Sequence, residues 1–233
     1  MSWNLDLSGK VSLVTGGSRG IGRAVVERLR AAGGRVAYCS RQAQAGLDDS
    51  GEPKVAFHAA DVSDPSSVRE LFAWVDREFG RLDVLVNNAG VGRFAPLEKL
   101  AFEDWQTTVG TNLTGAFLCM KEALPRLKAQ KGGWIINISS LAGRNPFAGG
   151  AAYNASKFGL NGMTEAAMLD HRYEGVRVSV ISPGSVSTEF RGGGRADWKI
   201  GAEDVAEAVA WVMASPARTH VSLVEIRPSQ PRK

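Results

Sequence analysis

Lys10-Val11-Ser12-Leu13-Val14-Thr15-Gly16-Gly17-Ser18-Arg19-Gly20-Ile21-Gly22 runs from a short apolar segment through glycines into a stretch where Ile21, Val25 and Leu29 recur at helical spacing. The pattern is strand, turn, helix. A glycine-rich turn at that junction lets a ligand approach the backbone, and the N–H groups and dipole of the following helix receive an anion such as a pyrophosphate. The spacing is Gly-x-x-x-Gly-x-Gly over Gly16, Gly20 and Gly22, which differs from the Gly-x-Gly-x-x-Gly dinucleotide fingerprint. Its position after a first strand and before an amphipathic helix is what the chemistry requires.

The pattern continues along the chain. Arg35 to Cys39, Lys54 to His58, Asp83 to Val86, Gly133 to Ile138, Val176 to Ile181 and Ser222 to Ile226 read as further strands. Between them lie helical stretches: Ile21 to Ala32, Pro65 to Phe79 opened by Asp64, Phe102 to Lys128 with Pro125 near its end, Ala151 to Tyr173, and Glu203 to Ala214. Strands alternating with helices predict an α/β fold: a single Rossmann-like domain over residues 1–233, its doubly wound parallel sheet of about seven strands covered by helices on both faces. Arg191-Gly192-Gly193-Gly194-Arg195 reads as a mobile loop, within a short substrate segment around 188–201.

Composition narrows the function classes. The 233 residues carry a formal charge of +4, but the basic residues are scattered, which argues against a nucleic-acid partner. No apolar run approaches the ~20 residues needed to span a bilayer, and the first residues have neither a basic nor an apolar leader pattern, so a cytoplasmic protein without membrane association is expected. Cys39 and Cys119 stand far apart, and the three histidines form no ligand pattern with them; neither a disulfide nor a metal site is expected.

Two further features carry chemistry. Cys39-Ser40-Arg41 closes the second strand with a cation where an acidic residue would bind ribose hydroxyls, so Arg41, helped by Ser40 and Arg19, points to NADP(H) over NAD(H). In Ala152-Tyr153-Asn154-Ala155-Ser156-Lys157 a phenol and an ammonium four residues apart share one helix face. A tyrosine alone is a poor acid–base group near neutrality, with a pKa of about 10, and a neighbouring cation favours its phenolate.

Tyr153-x-x-x-Lys157, the Thr15 to Gly22 turn, Asn87-Asn88-Ala89-Gly90 and Pro183-Gly184, in this order at successive strand ends, resemble the short-chain dehydrogenase/reductase family from about Lys10 to Ile226. The resemblance implies catalytic roles for Asn112, Ser140, Tyr153 and Lys157: Ser140 polarises a carbonyl oxygen, Tyr153 donates the proton, Lys157 tunes it, and Asn112 holds a water. Ser139 is the one neighbour with which Ser140 is easily confused. For the cofactor the resemblance implies Gly16, Ser18, Arg19, Gly20, Ile21 and Gly22 in the turn, then Ser40, Arg41, Asp61, Val62, Asn88, Ala89 and Gly90. It adds Tyr153, Lys157, Pro183, Gly184, Val186 and Thr188 on the nicotinamide side.

The implied activity is interconversion of a carbonyl and a secondary alcohol by NADP(H)-dependent hydride transfer, with a 3-oxoacyl-thioester reductase as the nearest variant. A protein that only binds NADP(H), as a sensor or structural ligand, is the competing class. A homodimer or homotetramer is expected, with the helices from Phe102 and Ala151 as its surfaces. Phe94, Leu141, Phe147, Phe190 and Trp198 are candidates for an apolar wall, and Arg144, Arg191 and Arg195 for a basic rim. Two departures stand out: Ser179 replaces a frequent asparagine, and Leu223-Val224-Glu225-Ile226-Arg227-Pro228 lacks the usual Asp-Gly-Gly ending.

Overall fold

A computed structural model describes residues 5–42, 51–190 and 196–231. Seven strands form one sheet: β1 (Val11–Thr15), β2 (Arg35–Ser40), β3 (Val55–Ala59), β4 (Val84–Asn87), β5 (Gly133–Ile138), β6 (Val176–Pro183) and β7 (Leu223–Ile226). Their spatial order is β3-β2-β1-β4-β5-β6-β7 and every pairing is parallel. The order reverses between β1 and β4, and ligands of open α/β sheets bind at the carboxyl ends of the strands beside such a switch point.

Alternation along each strand builds two cores. Val14, Val84, Val86, Ile136, Ile138 and Ile181 face α1 (Gly20–Ala31) and α6 (Ala202–Met213) on one side. Leu13, Leu85, Ile135 and Val178 face α2 (Pro65–Phe79) and α4 (Gly115–Ala129) on the other. Central strands buried on both faces have to read as continuous apolar runs, and these do. The ends of α2 follow from its local sequence. The Asp64 carboxylate accepts from the N–H groups of Ser66 and Ser67, Pro65 occupies the first turn, and Gly80 ends the helix at φ 72°.

The stretch expected as one helix from Phe102 to Lys128 is helical but not uniform: α3 (Phe102–Val109) passes through a π-helical turn at Gly110–Thr114 into α4. The expected strand at Lys54 begins one residue later, and β6 runs on through Pro183, whose missing N–H is tolerated at the strand end. Helix α5 (Ala151–His171) ends in a 3₁₀ turn over Arg172–Glu174. The segment after β6 is closed at its base by a bridge between Val186 and Ile200, with Ser187 N–H donating to the Ile200 carbonyl. The glycine run 191–195, with Arg191 and Arg195, lies outside the described residues. Ser179, where asparagine is frequent, donates its hydroxyl to the Val221 carbonyl at 2.7 Å and so ties β6 to the chain entering β7.

Candidate active site

The glycine turn is built by close approach. Gly16 and Gly20 adopt φ of +66° and +54°. A Cβ on Gly16 would stand 2.9 Å from Ala89 Cα, and one on Gly22 would stand 2.2 Å from the Gly16 carbonyl oxygen. Side chains are thereby excluded from the floor of the turn, and the backbone is left bare. Arg19 precedes α1 without a side-chain cap, and no acidic residue occupies the first turn, so the helix terminus is open to an anion. The turn is tied to β4: the Asn88 amide donates to the Thr15 and Gly16 carbonyls at 3.0 and 3.1 Å, while Thr15 Oγ1 accepts from the N–H groups of Asn88 and Ala89. Ser18 and Ile21 are half-buried along this turn. These features fit a pyrophosphate-bearing dinucleotide.

Around the turn the remaining expected cofactor residues lie at the carboxyl ends of their strands. Ser40 donates its hydroxyl to the Gln42 carbonyl, and Arg41 beside it is exposed. Asp61 Oδ1 is engaged by the N–H and hydroxyl of Ser63 at 2.9 and 2.6 Å. Val62 is buried against the start of α4, where a Cβ on Gly115 would come within 2.8 Å of Val62 Cγ2. Gly90 borders Asn112 Oδ1. Gly184 N–H donates to the Ile226 carbonyl at the end of β6, after Pro183, and Thr188 reaches back to the space beside Gly20. Arg19 is drawn the same way, meeting Glu189 at 3.5 Å.

Of the expected proton-handling residues, Tyr153 and Lys157 on α5 and Asn112 on the π-helical turn come together. Lys157 is 5 % exposed, and its Nζ donates to the Ile138 carbonyl at 2.9 Å while standing 5.8 Å from the centre of the Tyr153 ring. Burial pushes its pKa down from 10.5 to about 8. Asn112 sits at the π-helical turn. Its Oδ1 accepts from Val91 N–H at 2.8 Å, and its Nδ2 donates to the Val91 carbonyl at 2.9 Å and to Ser156 Oγ at 3.0 Å. Ser156 Oγ donates in turn to the Tyr153 carbonyl. A cavity of about 10 Å³, of the order of a single water, is bordered by Asn87, Asn112 and Lys157.

The two adjacent serines separate by strand alternation. Ser139 is buried with its hydroxyl unpaired, whereas Ser140 is partly exposed, and its Oγ accepts from Ala142 N–H at the start of a 3₁₀ turn.

Two contributors, the Thr15 hydroxyl and Asn137, carry roles that no motif in the sequence assigns. Thr15 opens the turn, and its hydroxyl anchors Asn88 and Ala89. Asn87 donates to Asn137 Oδ1 at 2.9 Å and Asn137 to Thr164 Oγ1 at 2.8 Å, a buried chain that crosslinks β4, β5 and α5 beneath the site. The asparagines at the ends of two buried strands were the available signal. Phe94, Phe147 and Phe190 surround the Tyr153 ring with centroids at 5.7, 6.3 and 5.9 Å. Trp198 carries the Lys199 ammonium over its ring at 5.8 Å. Leu141 lines Gly184, and Arg144 pairs with Glu225. The thiols of Cys39 and Cys119 are buried, and burial raises both pKa values, that of Cys39 to about 12.

Comparison with known proteins identifies relatives over most of the chain. The chain is 39% identical over 195 residues to a D-threitol dehydrogenase of Mycolicibacterium smegmatis, covering 82% of this chain and 75% of that one. It is 38% identical over 191 residues to a 3-oxoacyl-[acyl-carrier-protein] reductase of Synechocystis, covering 79% and 77%. A metagenomic short-chain oxidoreductase solved in complex with NADP superposes with a TM-score of 0.85 at 39% identity, covering 96% and 99%. The family model described as short chain dehydrogenase matches residues 10–198, a span that holds the glycine turn, Asn112, Ser140, Tyr153 and Lys157. With the family's fold, the bare glycine cradle and the Tyr153–Lys157 pair present in one chain, the protein belongs to the short-chain dehydrogenases, oxidoreductases that act on CH–OH groups.

Proposed function

We propose that this protein is an NADP(H)-dependent reductase of ketones or aldehydes, and in reverse a dehydrogenase of the corresponding alcohols, with Tyr153 as the proton donor and acceptor. The observation that carries the reading is the buried Lys157 ammonium beside the Tyr153 ring. A bound nicotinamide supplies or receives the hydride. The chain's own residues do the rest. Ser140 Oγ, at the mouth of the site, donates to the substrate oxygen. Tyr153 gives its phenolic proton to that oxygen, and Lys157 stabilises the phenolate left behind. Asn112, held by Val91 and Ser156, keeps the widened helical turn in place beside the water-sized cavity through which Lys157 exchanges protons.

Arg41 and Arg19 support the choice of NADP(H), since both offer a guanidinium to a 2′-phosphate and a similar solved protein holds NADP. The protein acts in the cytoplasm, with its two thiols kept reduced and buried. No described helix is long and apolar enough to cross a membrane. It assembles with a second copy through α4 and α5, which expose Phe117, Phe158 and Leu169 and hold between them a groove of about 510 Å³ lined by Phe117, Leu124 and Met163. The similarity to a 3-oxoacyl-[acyl-carrier-protein] reductase makes acyl-thioester reduction the second reading.

The test is turnover of a carbonyl panel by the purified protein with NADPH and with NADH, beside the Tyr153→Phe variant. The reading requires faster NADPH oxidation with at least one ketone, and a loss of about 10²-fold or more in the variant while cofactor binding persists. Binding of NADPH with no turnover of any carbonyl would establish the sensor instead. Light scattering of the same preparation reads the assembly state.

A further inference from the structure

Three separate loops each deliver one phenylalanine to Tyr153. Phe94 follows β4, Phe147 follows β5 and Phe190 follows β6. The Phe94 and Phe147 centroids are 5.8 Å apart, and all these pairs are tilted by 44 to 59°. Such distances and tilts are those of aromatic groups in direct packing contact.

The rings are seated on glycine. A Cβ at Gly92 would stand 2.4 Å from Phe94 Cζ and 3.1 Å from Phe190 Cζ, and one at Gly150 would stand 2.6 Å from Phe147 Cε2. The backbone therefore makes room for phenyl groups beside the proton donor. Phe190 remains 42 % exposed, so part of this apolar surface meets solvent. Among the described residues, the cations next to the rings are paired: Arg93 lies 3.5 Å from Asp104, and Arg144 lies 3.4 Å from Glu225, which also pairs with Arg227 at 3.0 Å.

These features discriminate between substrate classes. A polyhydroxylated ketone would set hydroxyl groups against phenyl edges that cannot replace their bonds to water. An anionic thioester such as a coenzyme A ester gains little from Arg93 or Arg144, whose charges are partly offset by the carboxylates of Asp104 and Glu225 in exposed pairs, and it sets no complementary group against the phenyl rings. A neutral ring gains contact with three phenyl groups and sets no polar group against them. Resting on Tyr153 as proton donor to a carbonyl, we propose that the substrate is a neutral ketone bearing an aromatic or saturated six-membered ring beside the carbonyl, with the ring packed against Phe94, Phe147 and Phe190. In the reduction the carbonyl π bond opens; a C–H bond of the dihydronicotinamide breaks as a new one forms at the carbonyl carbon, oxidising the nicotinamide by two electrons, and the Tyr153 O–H bond breaks as the new O–H bond forms, leaving a tyrosinate. The ketone gains two electrons, and the tyrosinate regains its proton from solvent.

The experiment compares acetophenone and cyclohexyl methyl ketone with dihydroxyacetone and acetoacetyl-coenzyme A, using NADPH and NADH in parallel. The ring ketones should exceed both others in kcat/KM by about tenfold or more, the effect of two or three ring contacts. Phe94→Ala and Phe190→Ala should lower the preference for acetophenone over dihydroxyacetone by about fivefold to tenfold, chiefly through KM. Phe190→Leu keeps the volume apolar if the alanine variants fold poorly. Saturation-transfer NMR supplies a readout independent of turnover: acetophenone ring protons should receive more saturation than its methyl protons, and less in the Phe190 variants. Equal or better use of dihydroxyacetone or acetoacetyl-coenzyme A, or an unchanged preference in the variants, would overturn the proposal. If nothing is reduced with either cofactor, the reductase reading falls, and the NMR contrast still decides whether the ring binds among the phenylalanines.

Discussion

Lys157 Nζ donates to the Ile138 carbonyl at 2.9 Å, so a buried ammonium on α5 is fixed to the last residue of β5. The bond aims the lysine, and burial charges a cost: its pKa falls from 10.5 to about 8. The unfolded chain therefore holds more protons than the folded one between those two values, and stability contributed by this group rises with pH across that window. Below pH 8 the penalty is fully present, about 3 kcal/mol for a shift of this size. Lys157→Met removes the charge but leaves the Ile138 carbonyl unpaired, which offsets part of the gain. Its melting temperature relative to wild type should be highest near neutral pH and should decline steadily as the pH is raised from 8 to 10.5. Thermal melts of both proteins across that range check the slope. A pH-independent difference would assign the effect to packing, with no titrating ammonium involved.

Ser139 and Ser140 offer a sharper contrast than most adjacent pairs. The Ser139 hydroxyl is buried with no partner, while Ser140 is partly exposed and its Oγ accepts from Ala142 N–H. Ser140→Ala should cost about 10²-fold in kcat/KM, the effect of losing one donor to a developing oxyanion. Ser139→Ala should change kcat/KM by no more than about twofold, and it should leave stability unchanged or slightly improved, because an unsatisfied buried hydroxyl is removed. Steady-state kinetics with any accepted ketone distinguishes the two. The reverse ranking would move the polarising role to Ser139.

The strands and their parallel pairing were legible because a parallel sheet buried on both faces turns each strand into a short apolar run, as Val11 to Val14 and Val84 to Val86 show, whereas their spatial order is set by tertiary packing. Helix α2 announced both of its ends through Asp64, Pro65 and Gly80. The π-helical turn did not, since a single i→i+5 turn leaves the apolar spacing of the helix almost intact. Asn112 was expected in the site, but its three bonds to Val91 and Ser156 join residues far apart in the chain. The phenylalanines around Tyr153 were individually visible as candidates for an apolar wall. Their convergence depends on three loops meeting above one strand end, which no local pattern encodes.

Asn112 illustrates what that convergence costs to disturb. Its side chain makes three hydrogen bonds from a buried position, and the backbone of Val91 depends on two of them. Asn112→Ala should destabilise the fold by about 3 kcal/mol, because groups on Val91 lose their partners inside the protein. Ser156→Ala, which removes one acceptor from Asn112 and one local bond to Tyr153, should cost about 1 kcal/mol. Denaturant unfolding measures both. If Asn112→Ala were as mild as Ser156→Ala, water would be reaching Val91 and the turn would not be sealed by this side chain.

Arg19 meets Glu189 at 3.5 Å across the mouth of the cofactor cleft, from the glycine turn to the segment after β6. Both side chains are exposed, so the pair is weak, of the order of 0–1 kcal/mol and screened by salt. A 2′-phosphate recruited to Arg19 has to compete with that carboxylate, whereas Arg41 at the end of β2 is exposed to it directly. Glu189→Gln should therefore tighten NADPH binding by about twofold to fivefold at low ionic strength, with the gain fading as salt is added and NADH binding unaffected. Arg41→Ala should weaken NADPH binding by about tenfold to a hundredfold, the loss of a charge-assisted contact, again with NADH unaffected. Fluorescence titration with each cofactor at two salt concentrations tests both variants. Equal changes for NADPH and NADH would show that neither arginine reads the 2′-phosphate, and the cofactor preference would have to lie elsewhere in the cleft.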